Sequence, residues 1–364
     1  MRTYLNPHRL ALTGVAEVIL ARRESPEEEP TLVVLKRLLP HVRSSERFVE
    51  VYRERVELAR SVVHENVVPI LDVVVSPDTV KVVHAHQRGV QLHAMIDGRA
   101  RVPVGVAARI VAEAASAVQA AHDVGLLHLD LRPSNVFVTE DGHTRVADFG
   151  VAAAYVDDAF TRPGTRRQRF AYAPPETLEH EQYDERSDVF TLGVLLWELL
   201  AGRRLHTGSS PADVMKSVLA MTVPPPSAVD ASVPPALDAV VADALQRDPA
   251  RRTASAGALR DAIEAALRTV CLNVGERQVA AWMEANRDDA TEERHRAELE
   301  VMTGEARPLI APPQPVPAPS VSSSWVAPAP PSPPRWRRPL LLGMLVLFST
   351  ISLIALVRIL GAMG

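Results

Sequence analysis

His128-Leu129-Asp130-Leu131-Arg132-Pro133-Ser134-Asn135 is the stretch on which the fold turns, because other short segments stand behind it at fixed distances. Asp148-Phe149-Gly150 comes eighteen residues after Asp130, and Ala173-Pro174-Pro175-Glu176 comes next. Further on, Ser187-Asp188-Val189-Phe190-Thr191-Leu192-Gly193 heads a long apolar run, and Asp248-Pro249 precedes Arg252. Each segment alone is a weak signal, since Asp and Asn in loops commonly form Asx turns. Their order and spacing together are specific.

The rest of the chain bounds the reading. It has 364 residues, 40 basic against 44 acidic side chains and a net charge of −4, a balance that gives no support to a nucleic-acid partner. With 47% hydrophobic and 23% charged residues it has the composition of a globular protein, and its single cysteine, Cys271, excludes an internal disulfide framework and a cysteine zinc cluster. Val-, Ile- and Leu-rich segments at 17–21, 31–38, 67–75 and 79–83 predict strands, and 44–62 between them predicts a helix. Apolar residues at three-and-four spacing predict helices over 104–124, 187–201, 236–245 and 256–267.

Taken together, these segments resemble the protein kinase family in its bacterial Ser/Thr form. The resemblance implies an α+β, bilobal protein kinase fold over residues 1–270, with a small β-rich N-lobe carrying one helix and a larger helical C-lobe. It implies ATP and Mg²⁺ (or Mn²⁺) as cofactors, and protein substrates with Ser or Thr acceptors. Asp130 would take the acceptor hydroxyl's proton, Arg132 would neutralise phosphate charge, and Asn135 and Asp148 would hold the metal. Asp188 would brace the catalytic loop from below, and Glu176 with Arg252 would anchor the activation segment. Lys36 falls where the phosphate-contacting strand lysine belongs, and only it, Lys81 and Lys216 are lysines among the 40 basic residues. A compact ammonium is therefore expected to matter there.

Several positions depart from the family pattern. Matching 11–18 to the glycine-rich loop leaves Gly14, with Ala11, Thr13 and Ala16 at the signature positions, so the phosphate cradle is expected to fit less closely. Val18 and Val34 remain apolar walls for adenine. Counting back from His64-Glu65-Asn66-Val67-Val68 places Arg55 where a glutamate normally pairs with the lysine, which predicts repulsion of Lys36 unless Glu54 or Glu57 substitutes. Leu129 replaces the arginine that receives an activation-loop phosphate, so switching through Thr161 or Thr165 is not expected. The basic cluster Arg162, Arg166, Arg167 and Arg169 is read as a solvated loop, and His84 and His86 as partly exposed structural histidines.

Beyond the kinase-like body, 271–306 reads as a charged helical extension, and 307–339, with twelve prolines, as a disordered linker of about 3.1 Å per residue when extended. Residues 340–357 are eighteen consecutive uncharged residues, about 27 Å as a helix. They predict a single-pass C-terminal membrane anchor, with Arg335, Arg337 and Arg338 holding the kinase-like domain in the cytoplasm. The N-terminal apolar run is interrupted by Glu17 and predicts no leader peptide. Two functions fit: a membrane-tethered Ser/Thr kinase of weak or conditional activity, or a pseudokinase signalling scaffold that binds nucleotide without turnover. The sequence leaves the oligomeric state and the substrate open.

Overall fold

The computed structural model describes residues 3–309 apart from 77–78, 99, 152–169, 181–182 and 221. The basic cluster at 162–169, Thr161, Thr165, the proline tract beyond 309 and the apolar segment 340–357 lie outside the described residues. By contacts the chain divides into one unit of Met1–Ala311 and another of Pro312–Gly364.

The N-terminal half of the first unit is an antiparallel sheet of five strands in the order β1-β2-β3-β5-β4. Its strands are β1 (Thr3–Leu12), β2 (Ala16–Ser25), β3 (Glu28–Leu38), β4 (Ile70–Ser76) and β5 (Thr79–Ala85). Alternation along these strands sends successive side chains to opposite faces. Val33 and Leu35 join Tyr4, Ile19, Ala21 and Val83 in one buried cluster. The opposite face carries Leu38, Val80 and Val82, covered by α2 (Glu46–Arg60), which follows the short α1 (Pro40–Arg43). Helix α2 starts where the Ser45 side chain accepts from the Phe48 amide at 3.3 Å, and it buries Phe48, Tyr52, Val56 and Ala59 along one stripe.

The C-terminal half is helical around a three-stranded sheet of β6 (Gly89–Gln91), β7 (Val136–Thr139) and β8 (Thr144–Val146). After α3 (Leu92–Ile96) come α4 (Val104–His122), α5 (Pro175–His180) and α6 (Glu185–Ala201). Helix α4 is the one described helix long and apolar enough to cross a membrane, but 72% of its apolar window is buried in the core. Helix α6 is buried from Ser187 to Ala201, and begins in a capping box between Asp184 and Ser187. The remaining helices are α7 (Pro211–Ala220), α8 (Pro226–Val229), α9 (Pro235–Ala244) and α10 (Ala256–Thr269).

The charged extension forms α11 (Glu276–Ala285) and α12 (Asp289–Thr303). Helix α12 packs against β1, β2 and β3. Arg22 donates to the Met302 carbonyl at 2.6 Å, Asn6 donates to the Val301 and Gly304 carbonyls at 3.0 Å each, and Leu5 and Pro308 form an antiparallel bridge. Glu298 reaches the segment joining the two sheets, where it meets His86 at 2.9 Å and Arg88 at 3.3 Å. The extension is thus built into the same compact unit as the body.

Candidate active site

The loop from His128 to Asn135 is held from below by one buried carboxylate. Asp188, in the first turn of α6, accepts from the amides of His128 at 2.8 Å and Leu129 at 2.9 Å, and meets His122 Nε2 at 2.8 Å. Burial pushes its carboxyl up, and the hydrogen bond from His122 and the nearby histidines more than reverse this, so its pKa lies below the ordinary value. These contacts stabilise the left-handed backbone of Leu129, at φ +61°, a conformation costly for a residue with a Cβ.

Above this base the chemistry-bearing groups come together. Asn135 donates from Nδ2 to the Asp130 carbonyl at 2.8 Å, and its own carbonyl accepts from the Ala147 amide at 2.9 Å, which sets Asp148 beside it. Arg132 Nε lies 3.5 Å from the Asp130 carboxylate. Lys36, on β3, forms an ion pair with both carboxylate oxygens of Asp148. Asp148 has φ +69°, and the Phe149 ring packs on His128 with centroids 4.7 Å apart. Burial raises the Asp148 carboxyl, but the Lys36 charge, then that of His84, hold it down to about 2. Gly150 has φ +73°, and a side chain there would press on Leu126 at 3.0 Å and on the Cβ and carbonyl oxygen of Arg55 at 3.2 and 3.3 Å.

The anchor below is equally specific. Arg252 donates in bidentate fashion to Glu176 at 2.8 and 3.0 Å, and to the carbonyls of Arg186 at 2.7 Å and Gln246 at 3.0 Å. Ser187 Oγ donates to the same Glu176 carboxylate at 3.0 Å. The 170–180 segment is thereby fixed to α6, an attachment reinforced by Thr191 Oγ1 donating to the Tyr172 carbonyl at 2.9 Å.

Of the expectations around the lysine, the structure corrects the one for His84. Arg55 is exposed, and its Cβ lies 3.2 Å from where a Cβ on Gly150 would stand. Glu54 and Glu57 are exposed as well, and Glu57 lies 3.7 Å from Arg60. Among the described residues no carboxylate of α2 pairs with Lys36. His84 is not partly exposed but buried, and burial, with Lys36 nearby, pushes its imidazole down to about 4.

Val18 stands opposite Lys36 in the β2–β3 register, and Val34 is two residues away on β3, so both share its face of the sheet. Ala11 lies exposed near the end of β1, opposite Val18. Gly14 sits in a closed turn: Thr13 Oγ1 accepts from the Ala16 amide at 2.9 Å, Leu39 N donates to Val15 O at 2.8 Å, and His41 Nε2 meets Gly14 O at 3.0 Å.

A divalent ion fits the donor set. Asn135 commits its nitrogen to the Asp130 carbonyl, which leaves its side-chain oxygen uncommitted to that bond, and hard oxygen donors such as this one and the Asp148 carboxylate are what Mg²⁺ and Mn²⁺ take. Among the described residues no three His, Cys, Asp or Glu side chains gather to hold a metal, here or elsewhere.

Comparison with known proteins agrees with this geometry. Residues 14–263 match the protein kinase domain, and the chain belongs to that family. It is 29% identical over 295 residues to the tyrosine-protein kinase MasK of Myxococcus xanthus, covering 78% of this chain and 46% of that protein. It is 32% identical over 225 residues to the serine/threonine-protein kinase PknH of Mycobacterium tuberculosis, covering 62% of this chain and 32% of that one. The chain thus spans less than half the length of these curated relatives. Among solved structures, the PknI kinase domain of Mycobacterium tuberculosis superposes with a TM-score of 0.55 at 26% identity, covering 71% of this chain and 94% of that one.

Proposed function

We propose that this chain is a membrane-tethered Ser/Thr protein kinase, weak or conditional in turnover, which transfers the γ-phosphoryl group of ATP to hydroxyls of protein substrates. One observation carries the reading: Lys36, Asp148, Asn135 and Asp130 are tied into one connected cluster whose loop is braced by Asp188. Asp130 accepts the acceptor's proton as that oxygen attacks the γ-phosphorus, and the bond to the bridging oxygen breaks with its electron pair leaving on ADP. Arg132, beside Asp130, offsets negative charge on the transferring group. Lys36 places its ammonium against the nucleotide's phosphates, and Asn135 and Asp148 present oxygens for the ion. Asn135 and Asp148 would hold Mg²⁺ or Mn²⁺, which would supply positive charge to offset the charge developing on the phosphates.

A pseudokinase scaffold, which would bind nucleotide without turnover, is favoured by the closed Thr13–Val15 turn, tied down to Leu39 and His41. The two readings separate when the full chain is given labelled ATP with Mg²⁺ or Mn²⁺ beside an Asp130→Asn variant, and the products are taken to phosphoamino acids. Label on Ser and Thr that vanishes in the variant is expected. Label on Tyr would overturn the acceptor class, and equal labelling would leave the scaffold. The tether rests on the uncharged run 340–357 and its arginine flank, which orients the domain to the cytoplasm. The full chain should float with liposomes, and a chain ending at Ala311 should not.

A further inference from the structure

Helix α12 is fastened to both halves of the body and to the segment that joins them. Towards its C-terminal end Val301 is buried, and Asn6 of β1 and Arg22 of β2 donate to the carbonyls of Val301, Met302 and Gly304. The chain then continues beside β1, with Leu309 N donating to the Tyr4 carbonyl at 3.2 Å. Nearer its N-terminal end, His295 Nε2 lies 2.5 Å from Oε1 of Glu140, in the turn between β7 and β8. Between these points Glu298, only 7% exposed, holds His86 and Arg88, which stand in the short segment between β5 and β6. Arg88 Nε is also 3.6 Å from Glu140, so the middle fastening and the lower one share a residue.

Helix α11 secures the lower end to the C-terminal half. Val279 is fully buried in the large helical core, and Trp282 and Met283 pack against it. The start of α11 runs so close to the β7–β8 turn that a Cβ on Gly142, at φ +89°, would stand 1.9 Å from the Glu276 carbonyl oxygen. An α-helix rises 1.5 Å per residue, so α12 sets a fixed span of about 10 Å from His295 to Met302. Burial raises the Glu298 carboxyl, but the hydrogen bond from His86 and the charges of His86, Arg88 and His295 bring it below its ordinary value. The same seam divides the active site, since Lys36 comes from β3 and Asp130, Asn135 and Asp148 come from the C-terminal half. Closure of two halves around a ligand turns on a few residues of the segment between them, and here those are the residues Glu298 holds.

We propose that α12 is a splint that fixes the opening of the cleft: a rigid helix pinned to the sheet of the N-terminal half, to the joining segment and to the β7–β8 turn. While Glu298 and His295 keep their partners, the two halves cannot turn about residues 86–88, and nucleotide enters and leaves through an opening of one width. Undoing those two fastenings lets the halves swing and speeds nucleotide release. The inference rests on the kinase reading for what occupies the cleft, but the distance between the halves is measured without turnover.

The experiment is a pulsed electron-spin distance measurement on the full chain. Spin labels are placed at Glu29→Cys in β3 and Asp261→Cys in α10, both exposed, with Cys271→Ser removing the native thiol. The otherwise unaltered chain should give one narrow distance that moves by less than about 2 Å when a non-hydrolysable ATP analogue is added. A Glu298→Ala/His295→Ala chain should give a distribution at least about twice as broad and release a fluorescent ATP analogue about fivefold faster. Glu298→Gln, which keeps an acceptor for Arg88, and the exposed Leu299→Ala should both stay within about twofold of the unaltered chain in release rate. A role in stability alone would lower the denaturation midpoint of the double variant and leave its distance distribution narrow, and that result would overturn the proposal. A broad or nucleotide-shifted distance in the unaltered chain would overturn it as well, and this arm decides even where the double variant does not fold. If no nucleotide binds, the kinase reading falls, while the widths of the nucleotide-free chains still decide the splint.

Discussion

The two halves of the site are built on different terms. In the lower half, buried carboxylates have several partners each: Asp188 has three, Glu176 has Arg252 and Ser187, and Glu198 in α6 has Tyr172 at 2.8 Å, Arg204 at 3.1 Å and the Leu205 amide at 3.0 Å. In the upper half, Lys36 and Asp148 have one another. Redundant hydrogen bonds fix a loop whether or not a ligand is present, because losing any one leaves the others. A pair with a single contact is set by whatever else enters the cleft. The lower half therefore supplies rigidity, and on the proposed kinase reading the upper half is where nucleotide and metal would act.

The largest expected effect lies in the lower half. Arg252→Ala leaves Glu176 without its bidentate partner and should cost roughly 3–5 kcal/mol of unfolding free energy, read by chemical denaturation. A loss below about 1 kcal/mol would mean that the Glu176 pair is dispensable and the contrast between halves is wrong. Lys36→Met reverses the pattern. It should cut phosphoryl transfer about a hundredfold, about 2.7 kcal/mol of transition-state stabilisation, while the denaturation midpoint moves little.

Smaller is the effect of Glu298→Ala, which frees His86 and Arg88 from α12 and should cost about 1–2 kcal/mol of stability. An unchanged denaturation midpoint would show that the extension is fastened elsewhere.

A further effect is one of pH. The His84 pKa lies near 4 in the fold, below its ordinary value of 6.5, so the unfolded chain binds the extra proton first. The stability that comes from keeping His84 neutral is complete above about pH 6.5 and is lost as pH falls toward 4. His84→Gln should flatten the fall in denaturation midpoint across that window. Asp148, held near 2, keeps its charge throughout, so the Lys36 pair should outlast the change at His84.

How much of this was legible in the sequence depends on distance along the chain. The catalytic loop, Asp148 and the Glu176 segment stand in a fixed order because their chemistry needs them close together. The strands of β2, β3 and β5 and helices α4 and α6 announced themselves through their apolar patterns. Strand β1 did not, since Asn6, Pro7, His8 and Arg9 break the pattern and its pairing with β2 carries register shifts. Counting residues from His64 gives Arg55 a position in α2 but not its exposure, which is set by how Phe48, Tyr52 and Val56 pack on the sheet. His84 sits in a strand whose burial depends on α2 and the 148–151 segment, and Glu298 meets His86 across more than two hundred residues. No local pattern encodes such contacts.

The sharpest test bears on Asp148, the one group shared by ammonium and ion. Single-turnover transfer from ATP to a protein acceptor, measured for the full chain and for Asp148→Asn at saturating Mn²⁺, should fall by at least about a hundredfold in the variant. Transfer at the wild-type rate would contradict the account, because the carboxylate on which the upper half depends would then be idle.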